Sequence, residues 1–141
     1  MNLREILRSK GSTVYTISPD ASLMDAVRMM VDHRCGSLVV TRDGTMVGLI
    51  SERDILRTLA DERSPLAATP ISDRMTTHVV TGSPDDGLGQ VMGILTQNRI
   101  RHLPVLQDGR LEGMVSIGDV VKAQHEQLAR ENHFLMSYIQ S

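Results

Sequence analysis

The feature that most constrains this chain is an internal repeat with a constant spacing of 65 residues. Matching residues follow in the same order in both halves without a gap: Pro19 and Pro84, Arg34 and Arg99, Leu38 and Leu103, Asp43 and Asp108, and Asp54 and Asp119. A register kept over this distance indicates two copies of one folding unit. Neither copy is long enough to bury a sheet face well by itself. The two copies are therefore expected to pack together about a pseudo-twofold axis.

Each copy predicts the element order β-α-β-β-α, so the expected fold class is α/β (α+β). The first copy contains strands over 14–17, 37–40 and 46–50, and helices that open at Ser22 and Ser51. Apolar residues recur at spacings of three and four after Ser22, as on one face of a helix. Residues 37–40 are uniformly apolar after the serine, which is typical of a strand covered on both faces. Asp43-Gly44 is a hairpin signal between the last two strands.

The same order predicts that the first strand of the second copy spans residues 75–81 and that its first helix lies within 87–98. Three glycines, Gly87, Gly89 and Gly93, fall in this helix. Each interior glycine costs ~1 kcal/mol relative to alanine. That cost indicates close approach of another element at these positions, either a packed helix or a ligand.

The predicted division of the chain has five parts: an N-terminal helix at 1–10, repeat 1 at 11–60, a linker at 61–74, repeat 2 at 75–125, and a C-terminal helix extension at 126–141. Val121, Leu128 and Leu135 lie seven residues apart on the last helix, and the alternate seam positions hold His125, Asn132 and Ile139. The extension has nothing left to pack on within one unit. It is predicted to form a subunit contact, and a solvent-exposed end is the alternative.

Two copies of one motif mark the predicted junctions between strand and helix, at residues 48–54 (GLISERD) and 113–119 (GMVSIGD). Backbone N–H groups at a helix start favour an anion such as phosphate. A serine hydroxyl there can contact phosphate, and an aspartate one turn later can accept from a sugar diol. Ser-x-x-Asp is also a capping box, and Ser22 with Asp25 is assigned capping only. For Ser51 with Asp54 and Ser116 with Asp119, the duplication favours ligand binding over capping alone.

Composition excludes several functional classes. A net charge of −2 and the lack of a basic run argue against a nucleic-acid or membrane partner. The single cysteine, Cys35, excludes an internal disulfide and a thiolate-rich zinc site. No nucleophile and base occur in a catalytic arrangement, so neither an enzyme nor a metal site is predicted. The charged N-terminus does not resemble a signal peptide, and the expected location is the cytoplasm.

With its halves aligned, the chain resembles a pair of cystathionine-β-synthase (CBS) domains, also called a Bateman module, over about residues 11–125. The resemblance rests on the two β-α-β-β-α units, the Asp-Gly hairpins, residues 48–54, and residues 101–105 (RHLPV) leading to 113–119. It implies a stand-alone regulatory module rather than an enzyme. The implied ligands are AMP, ADP or ATP, and in some relatives NAD or S-adenosylmethionine, in the cleft between the repeats.

The resemblance also implies roles for individual residues. Ribose hydroxyls would be held by Asp54 and Asp119, and phosphate or ribose would be contacted by Ser51 and Ser116. The residues implied to contact the base are Thr16, Ile17, Thr81 and Pro84. The basic residues implied near phosphates are Arg101, His102, Arg53 and Lys122.

The two copies differ at two of these positions. The first copy has Gly36-Ser37 where the second has Arg101-His102, and the second has Gly118 where the first has Arg53. One good nucleotide site and one weak or empty site are therefore expected.

The predicted function is a nucleotide sensor that forms a homodimer of CBS pairs. Its ligand would change dimer geometry and so signal to a regulated partner that the sequence does not identify. The alternative is a ligand-independent scaffold or interaction protein with vestigial clefts, whose binding surface is the long terminal helix.

Overall fold

The computed structural model describes residues 1–140, and the chain is organised as two units. The central unit is the continuous stretch Val14–Val79. The terminal unit combines Met1–Thr13 with the chain from Val80 onward. The N-terminal residues therefore belong with the second copy of the repeat, although the first copy follows them directly in sequence.

The helices and strands in chain order are α1 (Leu3–Lys10), β1 (Thr16–Ile17), α2 (Leu23–His33), β2 (Ser37–Arg42), β3 (Thr45–Ser51), α3 (Glu52–Ala60), α4 (Leu88–Gln97), β4 (His102–Gln107), β5 (Arg110–Ser116) and α5 (Ile117–Gln140). Two short 3₁₀ helices, Leu66–Ala68 and Ile71–Asp73, lie between α3 and α4. Among residues 1–140, no helix combines the length and the apolar character needed to cross a membrane.

The central unit is a three-stranded sheet with α2 and α3. Strand β1 pairs in parallel with β2, and β2 pairs antiparallel with β3. Asp43 (φ 53°) and Gly44 (φ 78°) both adopt left-handed backbone, as the tight hairpin turn requires. The sheet and helices share one core: Ile17, Leu23, Ala26, Met30, Leu38, Val40, Ile50, Ile55 and Ile71. The period-two alternation of β2 places Leu38 and Val40 in this core and turns Ser37 to the other face.

The terminal unit repeats this plan with a two-stranded sheet, β4 and β5, and with α4 and α5. Gly82 forms an isolated parallel bridge with Val105 where the central unit has strand β1. Helix α1 completes the unit by burying Leu3 and Ile6 in the core. The other buried members of this core are Leu88, Val91, Leu95, Leu103, Val105, Val115, Val120 and Ala123.

Each unit is closed by a segment that precedes the other copy in sequence. In the terminal unit, Leu3 N donates to Asp86 O at 3.1 Å; in the central unit, Ile71 N donates to Ala21 O at 2.9 Å. The two acceptors are equivalent residues of the repeat, so α1 and the linker occupy equivalent places. The repeat therefore extends beyond the aligned motifs. Its two lead-in segments are α1 (Leu3–Lys10) and the linker at 61–74. Each precedes one copy in sequence but packs in the unit that the other copy forms.

The α+β class and both terminal helices are confirmed, but two local predictions are wrong. The expected strand at 75–81 is not present in the described chain. The pairing that this stretch makes is an isolated bridge from Thr76 to Leu49, and the bridge of Gly82 with Val105 follows directly after it. The expected close packing of another element at Gly87, Gly89 and Gly93 is also wrong, whereas the alternative, a ligand, stays a prediction. A Cβ at any of the three would meet no atom of the described residues within 4 Å, because the glycines face open space.

Candidate functional site

The central unit positions Ser51 and Asp54 where β3 ends and α3 begins. Ser51 N donates to Asp54 Oδ2 at 2.9 Å, and Ser51 Oγ donates to the same oxygen at 3.1 Å. Asp54 is only 8% exposed, although it lies in the first turn of a helix. Its other carboxylate oxygen, Oδ1, takes part in neither bond. The motif therefore holds a shielded carboxylate with one oxygen engaged by its own helix cap.

Ser37 lies beside this motif because β2 and β3 pair in the register that places Ser37 opposite Ser51. Its hydroxyl is buried, and Ser37 Oγ has no hydrogen-bond partner within residues 1–140. Most buried polar atoms in folded proteins are paired with protein or water. An unpaired hydroxyl next to Ser51 and Asp54 is therefore a group that a ligand or an ordered water would satisfy.

The terminal unit repeats the motif with a different hydrogen-bond pattern. Ser116 N donates to Asp119 Oδ2 at 2.8 Å, and Asp119 N donates to Ser116 Oγ at 3.1 Å. This reciprocal pair is a complete capping box, like the one that Ser22 and Asp25 form at α2. Here the serine hydroxyl accepts from the helix backbone.

Lys10, at the end of α1, also binds the Asp119 carboxylate. Lys10 Nζ lies 2.6 Å from Asp119 Oδ2 and 2.9 Å from Met114 O. Burial raises the pKa of Asp119, but the hydrogen bonds from Lys10 and Ser116 and the Lys10 charge outweigh it. They hold the pKa of that carboxyl below its ordinary value. No local pattern predicts this pair, because the two residues are 109 positions apart.

The lowered pKa of Asp119 predicts a pH-dependent stability. A carboxyl with a depressed folded-state pKa stabilises the fold above its unfolded pKa of about 3.9, and the contribution is lost as the pH falls through the folded-state pKa. Lys10→Met removes the main cause of the shift. We expect the variant to be less stable than the parent at pH 7, with the difference shrinking in acid. Urea unfolding over a pH series measures this, with Arg4→Met as the control.

The control changes a second ion pair of α1, Arg4 with Asp85, whose side chains are 37% and 74% exposed. Exposed pairs contribute little to stability. Arg4→Met is therefore expected to follow the parent at every pH. A difference between Lys10→Met and the parent that stays constant down to strong acid would contradict the assignment of the effect to Asp119.

The other candidate residues of the terminal unit surround its motif at different depths. His102 is partly buried and lies opposite Ser116 in the β4–β5 register, while Arg101 is exposed. Lys122 is exposed on α5. Thr81 is half-buried and Pro84 is buried in the segment that leads into α4. The register therefore brings His102 to Ser116, as it brings Ser37 to Ser51 in the other copy.

The remaining candidates of the central unit are Thr16, Ile17 and Arg53. Thr16 and Arg53 are exposed, whereas Ile17 is 8% exposed and belongs to the core. Sequence reasoning missed Ser37 as a candidate, because a register shift between Val40 and Thr41 separates the Asp43-Gly44 hairpin from the pairing that places Ser37 opposite Ser51. It also missed Lys10, because the spacing of apolar residues on α1 does not show which copy the helix covers.

A separate groove of about 330 Å³ lies in the central unit between α2 and α3. Its lining is mainly apolar: Val27, Met30, Val31, Cys35, Glu52, Ile55 and Leu56. Burial raises the pKa of the Cys35 thiol. The thiol is therefore held in its neutral form and packs as a small apolar residue. No group of three or more potential metal ligands occurs among residues 1–140. None of the candidate site residues lines this groove.

Comparison with known proteins identifies relatives with the same architecture. The family model of the CBS domain matches residues 3–61 and 71–126. The chain is 35% identical to the mitochondrial CBS domain-containing protein CBSX3 of Arabidopsis thaliana, over 98% of this chain and 71% of that protein. A CBS-domain containing protein from Agrobacterium tumefaciens superposes with a TM-score of 0.85 at 38% identity, covering 88% and 99% of the two chains.

A third match is a CBS domain protein from Pyrobaculum aerophilum that was solved in complex with AMP. It superposes with a TM-score of 0.75 at 25% identity, covering 84% of this chain and 89% of its own. Each matched segment of the family model contains one of the two strand-to-helix motifs, Ser51 with Asp54 in the first segment and Ser116 with Asp119 in the second. The chain therefore belongs to the CBS-domain family and carries a pair of CBS repeats.

Proposed function

We propose that this protein is a regulatory module that binds AMP, ADP, ATP or a related adenosyl ligand and passes the signal to a partner protein. The observation that carries the proposal is the pair of Ser–Asp motifs, each at the start of a helix that follows a strand. The AMP complex of the Pyrobaculum aerophilum relative supports the ligand class. NAD and S-adenosylmethionine share the adenosyl group and remain within that class.

The chemistry of the motifs suits a ribose. An ionised carboxylate is an acceptor with two oxygens and about four lone-pair sites, so it can accept both hydroxyls of a diol. In this proposal Asp54 and Asp119 bind ribose hydroxyls, and Ser51 and Ser116 contact phosphate or ribose. The backbone N–H groups of a helix start and nearby basic residues favour the phosphate; those residues are Arg53, Arg101, His102 and Lys122.

The base would be contacted by the segments that lead into the first helix of each repeat, at Thr16, Ile17, Thr81 and Pro84. Because the chain has one phenylalanine, two tyrosines and no tryptophan, aliphatic contacts replace ring stacking. The proposal assigns no catalytic residue, since a sensor needs only different ligand affinity in two states.

We further propose that the module is a homodimer through α5. The helix runs to Gln140, and its outer part exposes Leu128 (64%), Leu135 (56%) and Ile139 (76%). These residues, with Val121, His125 and Asn132, occupy alternate positions of a seven-residue repeat, which is the spacing of a coiled-coil seam. A polar Asn at one seam position is typical of a pair of like helices held in register. The occupant proposed for this face is therefore a second copy of the chain.

Isothermal titration calorimetry with AMP, ATP, NAD and S-adenosylmethionine tests the ligand proposal. At least one of these ligands is expected to bind the parent. Replacing both carboxylates, as Asp54→Ala with Asp119→Ala, is expected to weaken binding by at least about a hundredfold, since hydrogen bonds to a charged group contribute about 1.5–3 kcal/mol each. Asp25→Ala is the matched control, because Asp25 is also a helix-capping aspartate in a Ser-x-x-Asp motif.

Circular dichroism should show that all of these variants remain folded. Unchanged affinity in the double alanine variant would contradict the assigned site. If none of the four ligands binds the parent, the sensor proposal is wrong, and the exposed α5 surface then favours a ligand-independent interaction protein.

A further inference from the structure

The two Ser–Asp motifs are not equally available to a ligand, although their sequences match. In the central unit, the second donor to Asp54 Oδ2 is the Ser51 hydroxyl. A hydroxyl rotates freely about its C–O bond, so it can turn to a ligand without leaving the site. In the terminal unit, the second donor to Asp119 Oδ2 is the Lys10 ammonium. A ribose at Asp119 therefore has to displace or share an ion pair.

The Lys10 ammonium contacts two acceptors. Besides Asp119, Lys10 Nζ donates to Met114 O at 2.9 Å. The equivalent carbonyl in the central unit, Leu49 O, accepts instead from the backbone Thr76 N at 2.9 Å. Within residues 1–140, Met114 O accepts from the Lys10 side chain and from no backbone N–H of α1. Two acceptors, Asp119 Oδ2 and Met114 O, therefore hold the ammonium beside the carboxylate, while the Lys10 side chain remains 36% exposed.

Unsatisfied hydrogen-bonding capacity favours the central motif. Ser37 Oγ is buried opposite Ser51 and lacks a partner among residues 1–140. The equivalent position in the terminal unit is His102, opposite Ser116. An unpaired buried hydroxyl destabilises the ligand-free state, and a ligand that pairs with it recovers that free energy. The central motif therefore combines a releasable donor with an unpaired group.

We propose that Lys10 determines which of the two motifs accepts an adenosyl ligand: it occupies the Asp119 carboxylate and directs the ligand to Asp54. This inference rests on the proposed function and goes beyond it. The N-terminal helix is then a built-in competitor for the second site. Removing the Lys10 charge opens the terminal motif.

Calorimetry with AMP and with adenosine tests this proposal on the full chain. The parent is expected to bind one AMP per chain, with binding lost in Asp54→Ala. Lys10→Met is expected to bind a second AMP, its affinity at the terminal motif rising at least about tenfold because a charge-assisted hydrogen bond is removed from the acceptor. Asp54→Ala combined with Lys10→Met should retain one AMP per chain. Lys10→Arg and Arg4→Met should behave as the parent.

Adenosine lacks a phosphate, so comparing it with AMP distinguishes two roles that Lys10 can have: blocking the Asp119 carboxylate or binding the phosphate. If Lys10 blocks the carboxylate, Lys10→Met strengthens adenosine and AMP binding alike. If Lys10 instead holds the phosphate, Lys10→Met weakens AMP binding and leaves adenosine unchanged, which overturns the inference. A stoichiometry that stays at one in Lys10→Met also overturns it, as does AMP binding that survives Asp54→Ala in the parent background. Absence of binding in every variant removes the proposed function and the inference together.

Discussion

Gly48→Ala is expected to lower the free energy of unfolding by about 3 kcal/mol, through overpacking and the loss of backbone hydrogen bonds. An added Cβ would lie 2.9 Å from Thr76 O and 2.7 Å from Met75 Sδ. The backbone oxygen cannot move away without disturbing both hydrogen bonds between Leu49 and Thr76, each 2.9 Å long. Urea unfolding followed by circular dichroism measures the loss.

Gly113→Ala is the matched control, because Gly113 occupies the equivalent position in the terminal unit. Its added Cβ would lie 2.6 Å from Leu7 Cδ2, with no backbone atom among its nearest contacts. The end of a leucine side chain can change rotamer, so a loss of only about 1 kcal/mol is expected. Equal losses in the two variants would contradict this prediction, because they would show that the backbone at Thr76 moves as easily as the Leu7 side chain.

Leu128→Asp combined with Leu135→Asp is expected to convert the proposed dimer into a monomer. Both leucines are more than half exposed, so the fold of one chain loses little. In a dimer each would be buried, and burial of a leucine contributes about 1.5–3 kcal/mol. The dissociation constant is therefore expected to rise by at least about a hundredfold. Sedimentation velocity over a range of protein concentrations measures the change.

His133→Asp with Ser137→Asp is the control for added negative charge on the same helix. Both residues are exposed and lie outside the seven-residue seam. This variant is expected to remain a dimer. A parent that sediments as a monomer throughout would remove the dimer proposal. A monomeric control would show that charge on α5, rather than the apolar seam, governs association.

The repeat predicts much of the fold because local signals fix each element. Asp43 and Asp108 adopt φ values of 53° and 52°, as their matched Asp-Gly turns require. Ser22 caps α2 as predicted, with both bonds of the capping box present. The exchange of lead-in segments has no such signal. Leu3 and Ile6 show that α1 has an apolar face, but burial of that face is non-directional and does not reveal which core it covers.

The hydrogen bonds within each Ser–Asp motif could be predicted, because they join residues only three positions apart in sequence. The three-residue spacing from Ser51 to Asp54 implies the hydrogen bonds that the structure contains. The same spacing cannot separate a helix cap from a ligand site, because both use the same groups. That distinction depends on Lys10 and Ser37, whose positions are set by tertiary packing and by strand register. The ligand roles of the individual residues stay predictions.

The exchange of lead-in segments has a consequence for synthesis on the ribosome. The central unit is one continuous stretch, so all of its core residues have been made by Val79. Helix α1 is synthesised before the central unit, yet the other residues of the core that covers Leu3 and Ile6 are made only after Val80. At a synthesis rate of about 5–20 residues per second, several seconds pass before that core exists, and the apolar face of α1 is uncovered during this time. During translation, that apolar face is open to chaperones and to contacts with neighbouring nascent chains.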